Sequence, residues 1–245
     1  VSIRWYQSGT YPLQSLNYTY NELISAEKDA LIFTDANWTL FASYLLQYGK
    51  GLFNDKKVIF SALMLTPFSM NELTEELGIP EFKDADPEFY KSKTPTMTFA
   101  NEMKKRIEHI AKYTKRPIYI SVSTNEAVKN LLKDHLYGEG LLMRYSSKPY
   151  DNLAVMRRNF ENTYLLDYLY ETFYPETLTD VCLDLKGVKM LSIYYVPAFK
   201  SLLQFYKESG DVTHYDKLYS LLESIVKKAD YYSDEVRERY LKSIN

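Results

Sequence analysis

Three short apolar runs limit what this chain can fold into. They occupy residues 30–34, 57–63 and 118–122, and none has the regular polar alternation of a half-exposed strand. Runs of this length without alternation suit strands buried on both faces, as in a parallel sheet covered by helices. Between them the period changes. Leu40, Phe41, Tyr44, Leu45 and Tyr48 recur at helical spacing after the first run, and Gly49 closes that segment. Phe99, Met103, Ile107 and Ile110 line one side of a helix expected over residues 98–113. A fourth, more amphipathic strand over residues 141–145 is expected at an edge. The order strand, helix, strand, helices, strand, helix, strand predicts a small Rossmann-like, mostly parallel sheet of about four strands with flanking helices, over residues 1–150.

Local signals refine this outline. Residues 1–20 read as an irregular arm, followed by a short helix over 20–26. Asn37 is placed to cap the helix after the first strand. Ser69 with Glu72 three residues on has the capping-box pattern for a helix over 69–77. Gly78, Pro80 and Pro87 mark a long loop to about residue 95, and a short helix is expected over 125–132. From Asp151 the pattern is helical, so residues 151–245 are expected to form a helical tail packed on the α/β layer. Asp151 or Asn152 caps a helix that carries Leu153, Met156, Phe160 and Tyr164 on one side and stops before Pro175. A further helix runs over about 187–209, with Pro197 expected to kink or break it. Gly210 and Asp211 make a turn into a helix with the stripe Tyr215, Leu218, Leu222, Ile225 and Ala229. This pair of helices resembles one tetratricopeptide unit. Phe199, Leu202, Tyr206, Gly210 and Tyr219 fit that repeat; Leu203, Tyr215 and Leu222 stand where it wants small residues.

Charge and cysteine usage exclude several function classes. Thirty basic and 32 acidic residues are mixed along 245 positions, for a net charge of -2, so no basic stripe follows a phosphate backbone and nucleic acid is not an expected partner. No glycine-rich phosphate cradle follows the first strand, which argues against nucleotide cofactors; no cofactor is expected. Cys182 is the single cysteine, so neither an internal disulfide nor a thiolate zinc cluster can form. His109, His135 and His214 are scattered and read as solvated or partly buried helix residues. The longest apolar stretch, residues 58–65, is far too short to span a bilayer. Opening on Val1, the sequence is expected to be a piece of a longer protein.

Residues 29–47, from Asp29 through Phe33, Asp35, Asn37 and Trp38 to Gln47, resemble a signature of a bacterial family of multi-spanning membrane proteins of unknown function, related to protein O-mannosyltransferases. Residues 115–122 and 139–145 match further motifs of its soluble C-terminal region in the same order. The resemblance spans about residues 18–228. It implies a periplasmic or cell-envelope location. It also implies a module whose chemistry, where there is any, belongs to the membrane part. The family's loop after the first strand carries two acidic residues that are missing here. Ala36, Asn37, Trp38, Thr39 and Leu40 occupy that stretch, and only Asp35 beside it is acidic.

The candidate site is therefore the rim after the first and third strands, where ligands of open α/β sheets bind. Asp35, Asn37, Trp38, Ser123 and Asn125, with Thr124, could hold a sugar or a peptide. The plainer alternative is helix capping by Asn37 and by Ser123 or Thr124, with Trp38 filling a gap. Glu139 and Arg144 are expected in a structural ion pair, with each other or with neighbours. Asp84, Asp86 and Glu88 alternate as calcium ligands sometimes do, but lack the EF-hand spacing, and no metal is assigned. No catalytic residues are assigned. The expected function is a non-catalytic envelope binding or scaffolding domain, with another envelope protein or a glycan as partner. The alternatives are a glycan-processing or glycosyltransferase-accessory enzyme domain and a structural spacer.

Overall fold

A computed structural model describes residues 13–83, 96–167, 169, 191–229 and 232–244. Cys182 and the acidic triplet Asp84, Asp86 and Glu88 lie outside these residues. The fold is mixed α/β, with one five-stranded sheet and ten α-helices among the described residues. The strands are β1 (Leu31–Thr34), β2 (Lys57–Phe60), β3 (Ile118–Ser121), β4 (Leu136–Gly138) and β5 (Leu142–Tyr145), in the order β2-β1-β3-β5-β4. β2, β1 and β3 are parallel; β5 runs antiparallel to β3, and β4 antiparallel to β5.

The three apolar runs become the three parallel strands, and β1 and β3 are buried at every position. Alternate residues serve two cores. Leu31, Phe33, Ile59, Ile118 and Ile120 face one, and Ile32, Val58, Tyr119 and Leu142 face the other. The first core is closed by α3 (Ser61–Met64), α4 (Pro67–Glu76), α5 (Thr96–Tyr113) and α6 (Glu126–Leu132). The second lies under α1 (Leu13–Ser25) and α2 (Asn37–Tyr44).

Several sequence expectations are corrected. β2 ends at Phe60, because the buried Ser61 turns the chain into α3 while its hydroxyl donates to Thr34 O at 3.2 Å. The cap of α4 is Thr66, whose hydroxyl accepts from Ser69 N–H, and Pro67 opens the helix where its missing N–H is harmless. α1 begins seven residues before the expected helix, so much of the supposed arm is helical. β5 is not an edge strand. The three-residue β4 covers it, and that segment is too short and too mixed to carry a strand signal. The sheet is accordingly half parallel and half antiparallel in its pairings.

The remaining helices are α7 (Asn152–Arg158), α8 (Tyr195–Ser209), α9 (Val212–Lys228) and α10 (Asp234–Ile244). α7 is capped by Asp151, widens into a π-helical turn over Asn159–Thr163 and stops there, short of the expected end. A 3-10 turn, Leu191–Tyr194, leads into α8. Pro197 falls in the first turn of α8, where no intrahelical N–H bond is lost, so it neither kinks nor breaks the helix. α8 and α9 form a helical hairpin. Gly210 provides its left-handed corner at φ 72°, and Asp211 caps α9 through His214 N–H. α10 packs on both. These helices share a core with the α/β layer: Tyr18 of α1 and Leu141 before β5 are buried among Tyr164, Tyr195, Phe199 and Leu202. Asn21 of α1 reinforces this contact by donating to Leu165 O (2.8 Å) and Tyr195 Oη (2.7 Å) and accepting from Leu165 N–H (2.8 Å).

Candidate functional site

The strand order places β1 between β2, reached through α2, and β3, reached from β2 through α3–α5. The chain therefore leaves the carboxyl ends of β1 and β3 in opposite directions, which is the switch point where doubly wound sheets open a crevice. Residues 34–38 and 121–125 form its two lips.

Asp35, Ser123 and Asn125 come together there. Asp35 Oδ2 accepts the backbone N–H of Asn125 at 2.7 Å. Asn125 Oδ1 in turn accepts from Ala127 N–H at 2.8 Å and is the cap of α6, the role expected of Ser123 or Thr124. Ser123 Oγ lies 2.8 Å from Ser121 Oγ and 3.3 Å from Thr34 Oγ1. Thr124 Oγ1 donates to Phe33 O at 3.4 Å. Asn37 and Trp38 do not join this network. Asn37 is exposed and does not cap α2. The cap position is Ala36, which offers no side-chain acceptor because the turn is one residue earlier than expected. Trp38 is half-buried against the core of the helical tail. Its indole Nε1 and Asp35 Oδ1 are both buried without a described partner.

The group at the centre of the rim is one the sequence did not single out. Glu22, on α1, is fully buried beneath the lips. Its Oε1 accepts from Ser121 Oγ at 2.5 Å and its Oε2 from Thr39 Oγ1 at 3.2 Å. Burial pushes its carboxyl up to about 8, against the opposing effect of the hydrogen bonds from Ser121 and Thr39. The signal for Glu22 was the helical spacing of Tyr18, Asn21, Glu22 and Ser25, which puts four polar side chains on the buried side of α1. With an arm expected over residues 1–20, Tyr18 falls outside the helix and the pattern is incomplete.

Glu139 and Arg144 take separate partners. Glu139 is buried and accepts from the Tyr150 hydroxyl. Burial raises its pKa, and the hydrogen bond from Tyr150 and the charge of Arg158 oppose the rise. Arg144 pairs with Glu27. The histidines stay apart: His109 meets Pro80 O at 2.7 Å and His214 meets Asp211 at 2.8 Å. Among the described residues, no group of three His, Cys, Asp or Glu comes together, and no helix is long and apolar enough to cross a membrane.

Two open grooves of similar size lie outside the rim network, the second adjoining its Val122 lip. One of about 600 Å³ sits at the amino ends of the strands, between Asp29, Asp55 and Arg116. The other, about 560 Å³, lies where α6 and the β4–β5 hairpin meet α7, α8 and α10. Comparison with protein-family models, with curated proteins and with solved structures gives no match.

Proposed function

We propose that the chain is a non-catalytic binding or scaffolding domain of the cell envelope. In this reading it is a soluble part of a larger protein resembling the mannosyltransferase-related membrane family, with a Rossmann-like layer and a tetratricopeptide-like hairpin. The observation that carries the reading is the internal use of the rim. Asp35, the one carboxylate left in the altered loop, clamps the start of α6, and the hydroxyls of Ser121 and Ser123 bond to one another. The acid beneath them is sealed and retains its proton near neutrality. Acid–base chemistry needs a group that can reach a substrate proton, and Asp35 Oδ2, Ser121, Ser123 and Asn125 are already bonded within the fold. Grooves with apolar residues in their lining open instead beside the helical tail, which suits contact with a protein.

Asp35 Oδ1 and Trp38 Nε1 favour a second reading. A buried acceptor and a buried donor without partners could receive sugar hydroxyls, as a glycan-processing accessory would need. A thermal-shift panel of sugars, nucleotide-sugars, divalent cations and short peptides separates the two, since any ligand of the native state raises its Tm. The binding-domain reading expects shifts from peptides and none from sugars. A shift with a nucleotide-sugar that disappears in Asp35→Ala or Trp38→Phe would replace it with the glycan reading.

A further inference from the structure

Two lysine-lined grooves flank α8 of the helical tail, on a chain that is acidic overall. Along α8, Pro197, Lys200, Ser201, Gln204 and Lys207 recur at helical spacing and form one exposed stripe. A 560 Å³ groove on the α6 side of this stripe and a 440 Å³ groove on its α9 side flank it, and Pro197 and Ser201 line both. Their floors are apolar, with Met143 and Met156 in the first and Ile244 in the second. From Pro197 to Lys207 the helix rises roughly 15 Å, the reach of about four or five extended residues.

Their charge is one-sided. Four lysines line the two grooves, Lys129, Lys133, Lys200 and Lys207, against a single carboxylate, Glu126. That carboxylate is already used, because Lys129 Nζ donates to Glu126 at 2.5 Å and to Val122 O at 2.7 Å. Lys133 and Lys200 are exposed and form no ion pair with a described residue. The whole chain carries a net charge of -2, so this local excess runs against the average. In each groove a pair of lysines stands beside an apolar floor, Lys129 and Lys133 in one and Lys200 and Lys207 in the other, which complements a narrow strand of chain with acidic and apolar side chains in alternation. A flat anionic membrane would meet the lysines but could not reach the floor.

We propose that this grooved face along α8 is the binding surface of the domain and that its occupant is an acidic, apolar-anchored segment of a partner protein in extended conformation. The assignment rests on the binding-domain reading above. The probe is a fluorescein-labelled peptide of about eight residues alternating glutamate with leucine or phenylalanine, compared with its lysine-for-glutamate counterpart. The glutamate peptide is expected to bind saturably, more weakly as salt rises, and the lysine peptide not to bind. Lys133→Glu with Lys200→Glu, and separately Ser201→Trp, should each weaken binding by about tenfold or more. All three positions are exposed, so unchanged circular dichroism and Tm are expected in both variants.

Equal binding of the two peptides, or affinity indifferent to both variants, would overturn the groove assignment and leave a binding domain with its surface elsewhere. Binding of neither peptide, with retention on vesicles of phosphatidylcholine and phosphatidylserine in equal parts, would reassign the lysines to a membrane surface. Binding of neither peptide, with a thermal shift from a nucleotide-sugar, would remove the groove assignment and the binding-domain reading together.

Discussion

Glu22 couples the stability of this fold to pH, because the partners of its buried carboxyl are hydroxyls. Below about pH 4.5 both the folded and the unfolded chain hold its proton. Above that the unfolded chain releases it, while the folded chain keeps it until about pH 8. The unfolded state therefore binds fewer protons across this window, and stability falls as pH rises through it and then levels off. The contribution at stake is of order 3–5 kcal/mol. Glu22→Gln should flatten that dependence and be the more stable form near about pH 8.5, as read by urea unfolding at about pH 5 and about pH 8.5. Arg106 poses the opposite case. It is buried in α5, donating to Glu102 at 2.5 Å and to Met64 O at 3.0 Å. Burial alone would raise the Glu102 pKa; hydrogen bonds from Lys105 and Arg106 outweigh it and hold the group below its ordinary value. Arg106→Ala should destabilise by about 3 kcal/mol, because it leaves the buried Glu102 carboxylate with Lys105 alone as its cationic partner and takes the donor from Met64 O. Replacing both residues by apolar side chains of similar volume should restore most of the loss, and chemical denaturation of the single and double variants measures both effects.

At the scale of elements, what could be read from the sequence follows how local the determining physics is. The three apolar runs predicted the three parallel strands because burial on both faces leaves a mark in composition. Gly210 and Asp211 predicted the hairpin corner, since a left-handed residue followed by a capping carboxylate is a local requirement. Gly210→Ala should cost about 1 kcal/mol through backbone strain alone, because a Cβ there meets open space; a Tm measurement would register it. The caps of α2 and α4 lie one and three residues before the expected ones. Ser69 and Asn37 are good capping residues, yet Pro67 starts α4 early and the Asp35–Asn125 clamp sets where α2 begins. β4 was not legible at all, since a three-residue strand exists only because β5 offers it a paired edge.

For the whole molecule, the question is whether the α/β layer and the helical tail can exist separately. Gly140, at φ 115°, lies where an added Cβ would come within 2.6 Å of Tyr164 Oη, and that hydroxyl accepts from Leu141 N–H at 3.1 Å. Gly140→Ala should therefore destabilise severely, by roughly 3 kcal/mol or more from combined strain and overpacking. Partial recovery with Tyr164→Phe would show that the contact, and not the backbone alone, is responsible. A chain ending at residue 150 should fail to fold cooperatively and should bind a hydrophobic dye, because Tyr18 and Leu141 would lose the core they share with Phe160, Tyr195 and Phe199. The strand runs, the helical periods and the turn at Gly210 were determined by the sequence by itself, since each depends on neighbours within a few residues. Tertiary structure alone decided that Glu22 lies beneath Ser121, that Asp35 holds Asn125, and that residues of α6, α7 and α8 line one groove. Each of these joins residues distant along the chain, and only the packing of α1 and the tail onto the sheet brings them together.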